Sequence, residues 1–115
     1  SKLVVARYVH ECLRREDVPR VSELAARHGL NAEYLSRSFR DRFGVRISDY
    51  MKTIQVRAAQ RLLRNTDLNT TRIAYQCGFG TRRSFFRTYR RLAGRSPAEH
   101  ERGDVSEGPA PRHEA

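Results

Sequence analysis

Apolar residues recur at helical spacing along most of this chain, and no window alternates as a strand would. Val5, Val9, Cys12 and Leu13 stand at i, i+4, i+7 and i+8, which predicts an amphipathic helix over residues 3–15, ended by Asp17-Val18-Pro19. Val21, Leu24, Ala25 and His28 repeat at i, i+3, i+4 and i+7, and Gly29 stops that short helix. Asn31 is a good N-cap for a third helix from Ala32 to about Phe43, closed by Gly44. Ser48 or Asp49 then caps a longer helix through Tyr50, Met51, Ile54, Ala58, Leu62 and Leu63, ending near Asn65. Asn69 caps the next short helix, with Ile73, Ala74 and Cys77 inward and Gly78 as its stop. Gly80-Thr81 leads into a last long helix carrying Phe85, Tyr89 and Leu92 on one stripe before Gly94. Ser96-Pro97 reads as N-cap and first residue of a final short helix through His100. The pattern predicts an all-α fold of about seven helices, and the Gly, Pro and Glu beyond Arg102 predict a disordered tail over 103–115.

Part of this pattern occurs twice. Leu24-Ala25, Gly29, Leu35, Arg37, Phe39, Arg40 and Gly44 are matched by Ile73-Ala74, Gly78, Phe85, Arg87, Tyr89, Arg90 and Gly94. The offset is 49 residues at the start and 50 at the end, so the second copy has one extra turn residue after Gly78. Each copy is a short helix, a glycine turn and a longer helix, the layout of a helix-turn-helix. The expected organisation is a first subdomain over 1–47, a connector helix over 48–66 and a second subdomain over 67–102.

Charge gives the repeat a partner. The formal charge is +10, and residues 103–115 are net −2, leaving +12 on residues 1–102. Of the 23 basic residues only Lys2 and Lys52 are lysine, so the excess is carried by the group best shaped for bidentate hydrogen bonding. A basic duplicated helical unit suits a repeating polyanion. The 38 % hydrophobic content supports a modest core, and no apolar run approaches the ~20 residues of a spanning helix. No signal-peptide pattern opens the chain, which points to the cytoplasm. The chain opens on Ser1 rather than Met, directly before a helix, which suggests a fragment of a longer protein. Cys12 and Cys77 fit buried apolar positions better than a disulfide or a CxxC site, and with His10 and His28 they lack metal-ligand spacing. His100 reads likewise as a structural or surface residue, and neither a metal nor another cofactor is expected.

The second helix of each copy has a distinct outward stripe. Glu33, Ser36, Arg37 and Arg40 fall at i, i+3, i+4 and i+7, away from Leu35 and Phe39. Arg83, Phe86, Arg87 and Arg90 occupy the same places in the second copy. One helix fits the major groove of B-DNA, and arginine can donate two hydrogen bonds to the guanine O6/N7 edge. Arg37 and Arg87, central on their stripes, are the strongest base-reading candidates, whereas Arg40, Arg90 and Arg91 would reach phosphates. Glu33 could accept from cytosine N4 or favour its helix N-terminus electrostatically. Phe86 is either packed against a neighbour or offered to a thymine methyl group. A connector of about 18 residues spans roughly 27 Å, near the ~34 Å separating successive major grooves on one face.

The most specific block is Ile73-Ala74, Cys77-Gly78-Phe79, Phe85, Arg87, Tyr89-Arg90-Arg91, Gly94 and Ser96-Pro97. With Leu24-Ala25, Gly29, Leu35-Ser36-Arg37, Phe39-Arg40 and Gly44, it resembles the DNA-binding domain of the AraC/XylS family of transcription regulators over about residues 3–102. The resemblance implies two helix-turn-helix units joined by a helix, asymmetric target sites, and transcriptional activation (less often repression) near bacterial promoters, with RNA polymerase as a partner. It further implies a separate N-terminal domain for effector sensing or dimerisation. By position, the base-facing residues it implies are Glu33, Ser36 and Arg37 in the first unit and Arg82, Arg83, Phe86 and Arg87 in the second. Arg83 stands where the family usually has a small hydroxyl residue, Thr70 where it has an aliphatic, and Gln55 where it has arginine. The last two imply a different packing of the connector on the second unit.

Sequence-specific binding of double-stranded DNA is therefore the leading expectation. The alternative is a protein-interaction module that docks on the transcription machinery with only secondary DNA contact. No paired acid and base, metal cluster or nucleophile constellation supports an enzyme. The halves are unequal: residues 20–50 carry a net +2 and residues 69–102 a net +6.

Overall fold

The computed structural model describes residues 1–101. Among them are seven helices and no strand: α1 (Lys2–Arg14), α2 (Val21–Arg27), α3 (Ala32–Phe43), α4 (Ile47–Asn65), α5 (Thr70–Gln76), α6 (Arg82–Ala93) and α7 (Pro97–Glu101). The all-α expectation holds. The tail expected to be disordered lies outside the described residues.

Local chemistry sets most of the boundaries. The Asn31 side chain accepts from the N–H groups of Glu33 and Tyr34 at 2.8 and 3.2 Å, which satisfies donors that the first turn of α3 leaves unpaired. Asn69 and Thr81 cap α5 and α6 in the same way, accepting from Arg72 N–H at 2.8 Å and Ser84 N–H at 3.0 Å. α1 sits one residue earlier than expected at each end. The start of α4 is a correction: neither Ser48 nor Asp49 caps it, and the helix begins at Ile47 after an extended Arg46. Ile47 is buried in the first core, and placing it inside the helix aims it there.

Two cores share α4. Val5, Tyr8, Val9, Cys12, Leu24 and Phe39 surround Ile47 and Met51. Ile73, Ala74, Cys77, Phe79, Phe85, Tyr89, Leu92 and Ala93 surround Val56 and Ala59. At about 100° per residue, Ile47 and Val56 face opposite sides of the helix. Of the apolar residues expected along this helix only Met51 is fully buried; Tyr50 and Ile54 pack against the first core, Ala58, Leu62 and Leu63 against the second, and Val56 and Ala59, which sequence reasoning missed, stand at the centre of the second. Between the two cores lies Gln55, buried, whose Nε2 donates to the carbonyls of Cys77 at 2.9 Å and Gly78 at 3.0 Å.

The paired turns have diverged. Gly29 and Gly78 both hold a positive φ, 65° and 72°. A β-carbon on Gly29 would meet nothing within 4 Å, whereas one on Gly78 would lie 2.7 Å from the Asp17 carbonyl oxygen and 2.9 Å from Leu13. The second turn therefore presses on the α1–α2 loop of the first unit, and only glycine fits there. The residue after each glycine differs too. Leu30 is exposed, while Phe79 enters the second core against Phe85, with ring centroids 5.1 Å apart.

Candidate nucleic-acid interface

α3 is fixed from below by Phe39, whose ring meets Phe43 at 4.7 Å and Tyr50 at 5.5 Å. Its opposite side is open. Glu33, Ser36, Arg37 and Arg40 line one groove of about 610 Å³ with Val21, Arg46, Ile47 and Ser48. The structure thus brings the four stripe residues of the first unit together. It adds Arg46 and Ser48, which sequence reasoning missed because they belong to the α3–α4 junction and not to the stripe. Arg37 and Arg40 are exposed, and Ser36 is half-buried between them.

α2 is held to α1 by a set of polar contacts. The Tyr8 hydroxyl donates to Glu23 Oε1 at 2.7 Å and accepts from Arg20 N–H at 3.0 Å. Burial, chiefly, pushes the Tyr8 phenol well above its usual range. Arg27 donates to Glu11 at 2.8 Å, holding that carboxyl below its usual value, and lies 5.0 Å from the Tyr8 ring centre.

α6 presents a denser cationic face. Phe85, Tyr89 and Leu92 are fully buried beneath it, and Tyr89 is pushed up to about 12 by burial. Arg82, Arg83, Arg87 and Arg90 are exposed. Phe86 is half-buried on the second core, edge-on to Phe85 at 5.8 Å, and the Arg82 guanidinium stacks 4.2 Å from its ring centre. Between the two expectations for Phe86, packing is what the unbound chain displays, with one face left to carry Arg82.

No acidic side chain among the described residues stands at ion-pair distance from Arg37, Arg40, Arg82, Arg83, Arg87 or Arg90. Arg91 differs, with its guanidinium 3.5 Å from Asp49 Oδ1 in the first turn of α4. The unpaired guanidinium groups keep their full charge for an external anion, whereas Arg91 must first leave a carboxylate.

Cys12 and Cys77 are free and buried, and desolvation pushes the Cys77 thiol up to about 12. No cluster among the described residues could hold a metal ion. None of their helices is long and apolar enough to cross a membrane.

Comparison with known proteins agrees with this arrangement. A family model described as a helix-turn-helix domain matches residues 24–103. The chain is 35 % identical over 81 residues to the HTH-type transcriptional regulator Rv1931c of Mycobacterium tuberculosis (strain ATCC 25618 / H37Rv), covering 70 % of this chain and 31 % of that protein. It is 32 % identical over 81 residues to the HTH-type transcriptional activator RhaS of Klebsiella pneumoniae (strain 342), covering 70 % and 29 %. The chain thus spans less than a third of the length of these curated relatives. Among solved structures, the DNA-binding domain of AdpA in complex with a target DNA superposes with a TM-score of 0.73 at 30 % identity, over 86 % of this chain and 90 % of that one. An AraC-type transcriptional regulator from Chromobacterium violaceum shares the fold, with a TM-score of 0.68 at 23 % identity over 90 % and 95 % of the two chains. These relatives are named as transcriptional regulators or as a DNA-binding domain, and they favour DNA binding over a module that merely docks on protein. The chain belongs to the AraC-type helix-turn-helix family of DNA-binding transcription regulators.

Proposed function

We propose that this chain reads double-stranded DNA with two unequal heads, α3 and α6, inserted in successive major grooves on one face of the duplex. The observation that carries the reading is the matched pair of exposed stripes, each with arginines that no acid among the described residues neutralises, on helices anchored by aromatic cores. Glu33, Ser36 and Arg37 read bases from α3, and Arg82, Arg83, Phe86 and Arg87 from α6. Arg40, Arg90 and Arg91 contact phosphates, with Arg91 exchanging Asp49 for the backbone. α4 spans about 28 Å along its axis, a length suited to neighbouring grooves.

We further propose transcriptional control of a promoter, contact with RNA polymerase and a location in the cytoplasm, a reading that membership of the family supports. An effector or dimerisation domain elsewhere in the protein would fit the short coverage of the relatives.

Duplex affinity measured between 50 and 200 mM salt tests the reading. Several phosphate contacts should weaken binding on the order of a hundredfold or more over that range. A nearly flat salt dependence would favour the protein-docking alternative.

A further inference from the structure

We propose that the spacing between the two reading heads is set by a brace that ties the second helix-turn-helix to the first unit, and not by the length of α4 alone. This inference rests on the two-headed reading above. Three contacts build the brace. Gln55 donates from one buried amide nitrogen to the carbonyls of Cys77 and Gly78, where α5 ends and the turn toward α6 begins. Gly78 itself lies against the Asp17 carbonyl, Leu13 and Pro19, closer than any other residue type allows. At the start of α5, Arg72 donates to Glu16 at 2.7 Å.

These contacts constrain different degrees of freedom. A single helix between two domains can bend and twist, because each unit is then held along one line only. Here α5 is tied at both its ends to elements of the first unit or the midpoint of α4, so its rotation about α4 is blocked. α6 follows directly from that turn, and its direction is inherited from α5. The α1–α2 loop is shaped for the contact: Glu16 takes the left-handed conformation at φ 58°, unusual for a residue with a side chain, and so places its carboxylate toward Arg72 and the next carbonyl against Gly78. The first copy has no such contact at Gly29. The brace belongs to the second turn alone.

Gln55 and Arg72 are thus positioning residues that touch no base in the proposed complex. The test uses a duplex that the wild-type chain selects from a random pool, the same duplex with one base pair inserted between its two recognised blocks, and a duplex keeping only one block. Wild type should lose about tenfold or more on insertion, since a rigid two-site binder cannot engage both blocks off register. Gln55→Glu keeps the shape but sets a carboxylate against two carbonyls. It should cut the insertion penalty to about two- or threefold while leaving the one-block affinity as in wild type. Arg72→Glu, on the exposed side of the brace, should loosen spacing in the same direction, and adding Glu16→Arg should restore it. That pair settles the matter if Gln55→Glu does not fold. A folded Gln55→Glu chain with the wild-type insertion penalty, or an Arg72→Glu effect that Glu16→Arg does not reverse, would overturn the brace. A change in one-block affinity would also overturn it, by placing the residue in a reading head. Equal binding of one-block and two-block duplexes by wild type would instead contradict the two-headed reading, and the brace with it.

Discussion

The Arg82 guanidinium lies 4.2 Å from the centre of the Phe86 ring, one helical turn along α6. Stacking orders a long cation before any partner arrives, so less side-chain freedom is lost on binding. Phe86→Leu keeps an apolar group on the second core and removes the π face. Its stability should change by less than about 1 kcal/mol, and its dissociation constant on the selected duplex should rise about three- to fivefold. An unchanged constant in a binding titration would show that the stack has no part in recognition.

Arg37→Ala and Arg87→Ala should each cost about 1–3 kcal/mol on the selected duplex and relax sequence preference under the affected head. Arg90→Ala should weaken selected and random duplexes alike and lower the salt slope by about 1. Titrations on both duplexes separate the two behaviours. Equal weakening on both by Arg87→Ala would make Arg87 a phosphate contact.

In the proposed complex Asp49 competes with DNA for Arg91. Asp49→Asn should therefore tighten binding to random duplexes at low salt and steepen the salt slope by about 1. It should also cost about 0.5–1 kcal/mol of stability, because a carboxylate in the first turn of α4 favours the helix. An unaltered slope would mean that Arg91 does not reach the backbone.

Alkaline stability follows from buried acids, Cys77 and Tyr89 in the second core and Tyr8, raised in the same direction, in the first. Cys77 is raised from 9.0 and Tyr89 from 10.0, each to about 12, with desolvation the main cause. Above pH 9 the unfolded chain loses these protons first, so it binds fewer protons than the folded chain and stability falls with rising pH. Their contribution is complete below pH 9 and is lost by about pH 12. Urea midpoints measured at pH 8 and pH 11 should fall, and Tyr89→Phe should flatten the part of the decline above pH 10. An identical decline in that variant would assign the effect elsewhere.

Legibility in the sequence followed the range of the interaction. Asn31 and Asn69 act on donors two or three residues away, so their caps could be read directly. The outward stripes were legible because Phe39 and Phe85 mark the inward side of each helix. Ser48 and Asp49 misled because cap chemistry is weaker than the burial of Ile47. Val56 and Ala59 were missed because α4 serves two cores on different faces, which one periodic stripe cannot describe. The substitution at Gln55 pointed to altered packing, but its two acceptors lie 22 and 23 residues away and needed the fold. Arg46 and Ser48 join the α3 groove only through the angle between α3 and α4.

The charge difference between the copies and the divergence of their turns point the same way. The first unit has the smaller charge and an open turn, and the second has the larger charge and a turn locked against its neighbour. The most direct test is selection of bound sequences from a random duplex pool by the intact 115-residue chain. The account predicts two preferred blocks about one helical turn apart at a single spacing. Selection of one block alone, with random sequence where the second should lie, would contradict it.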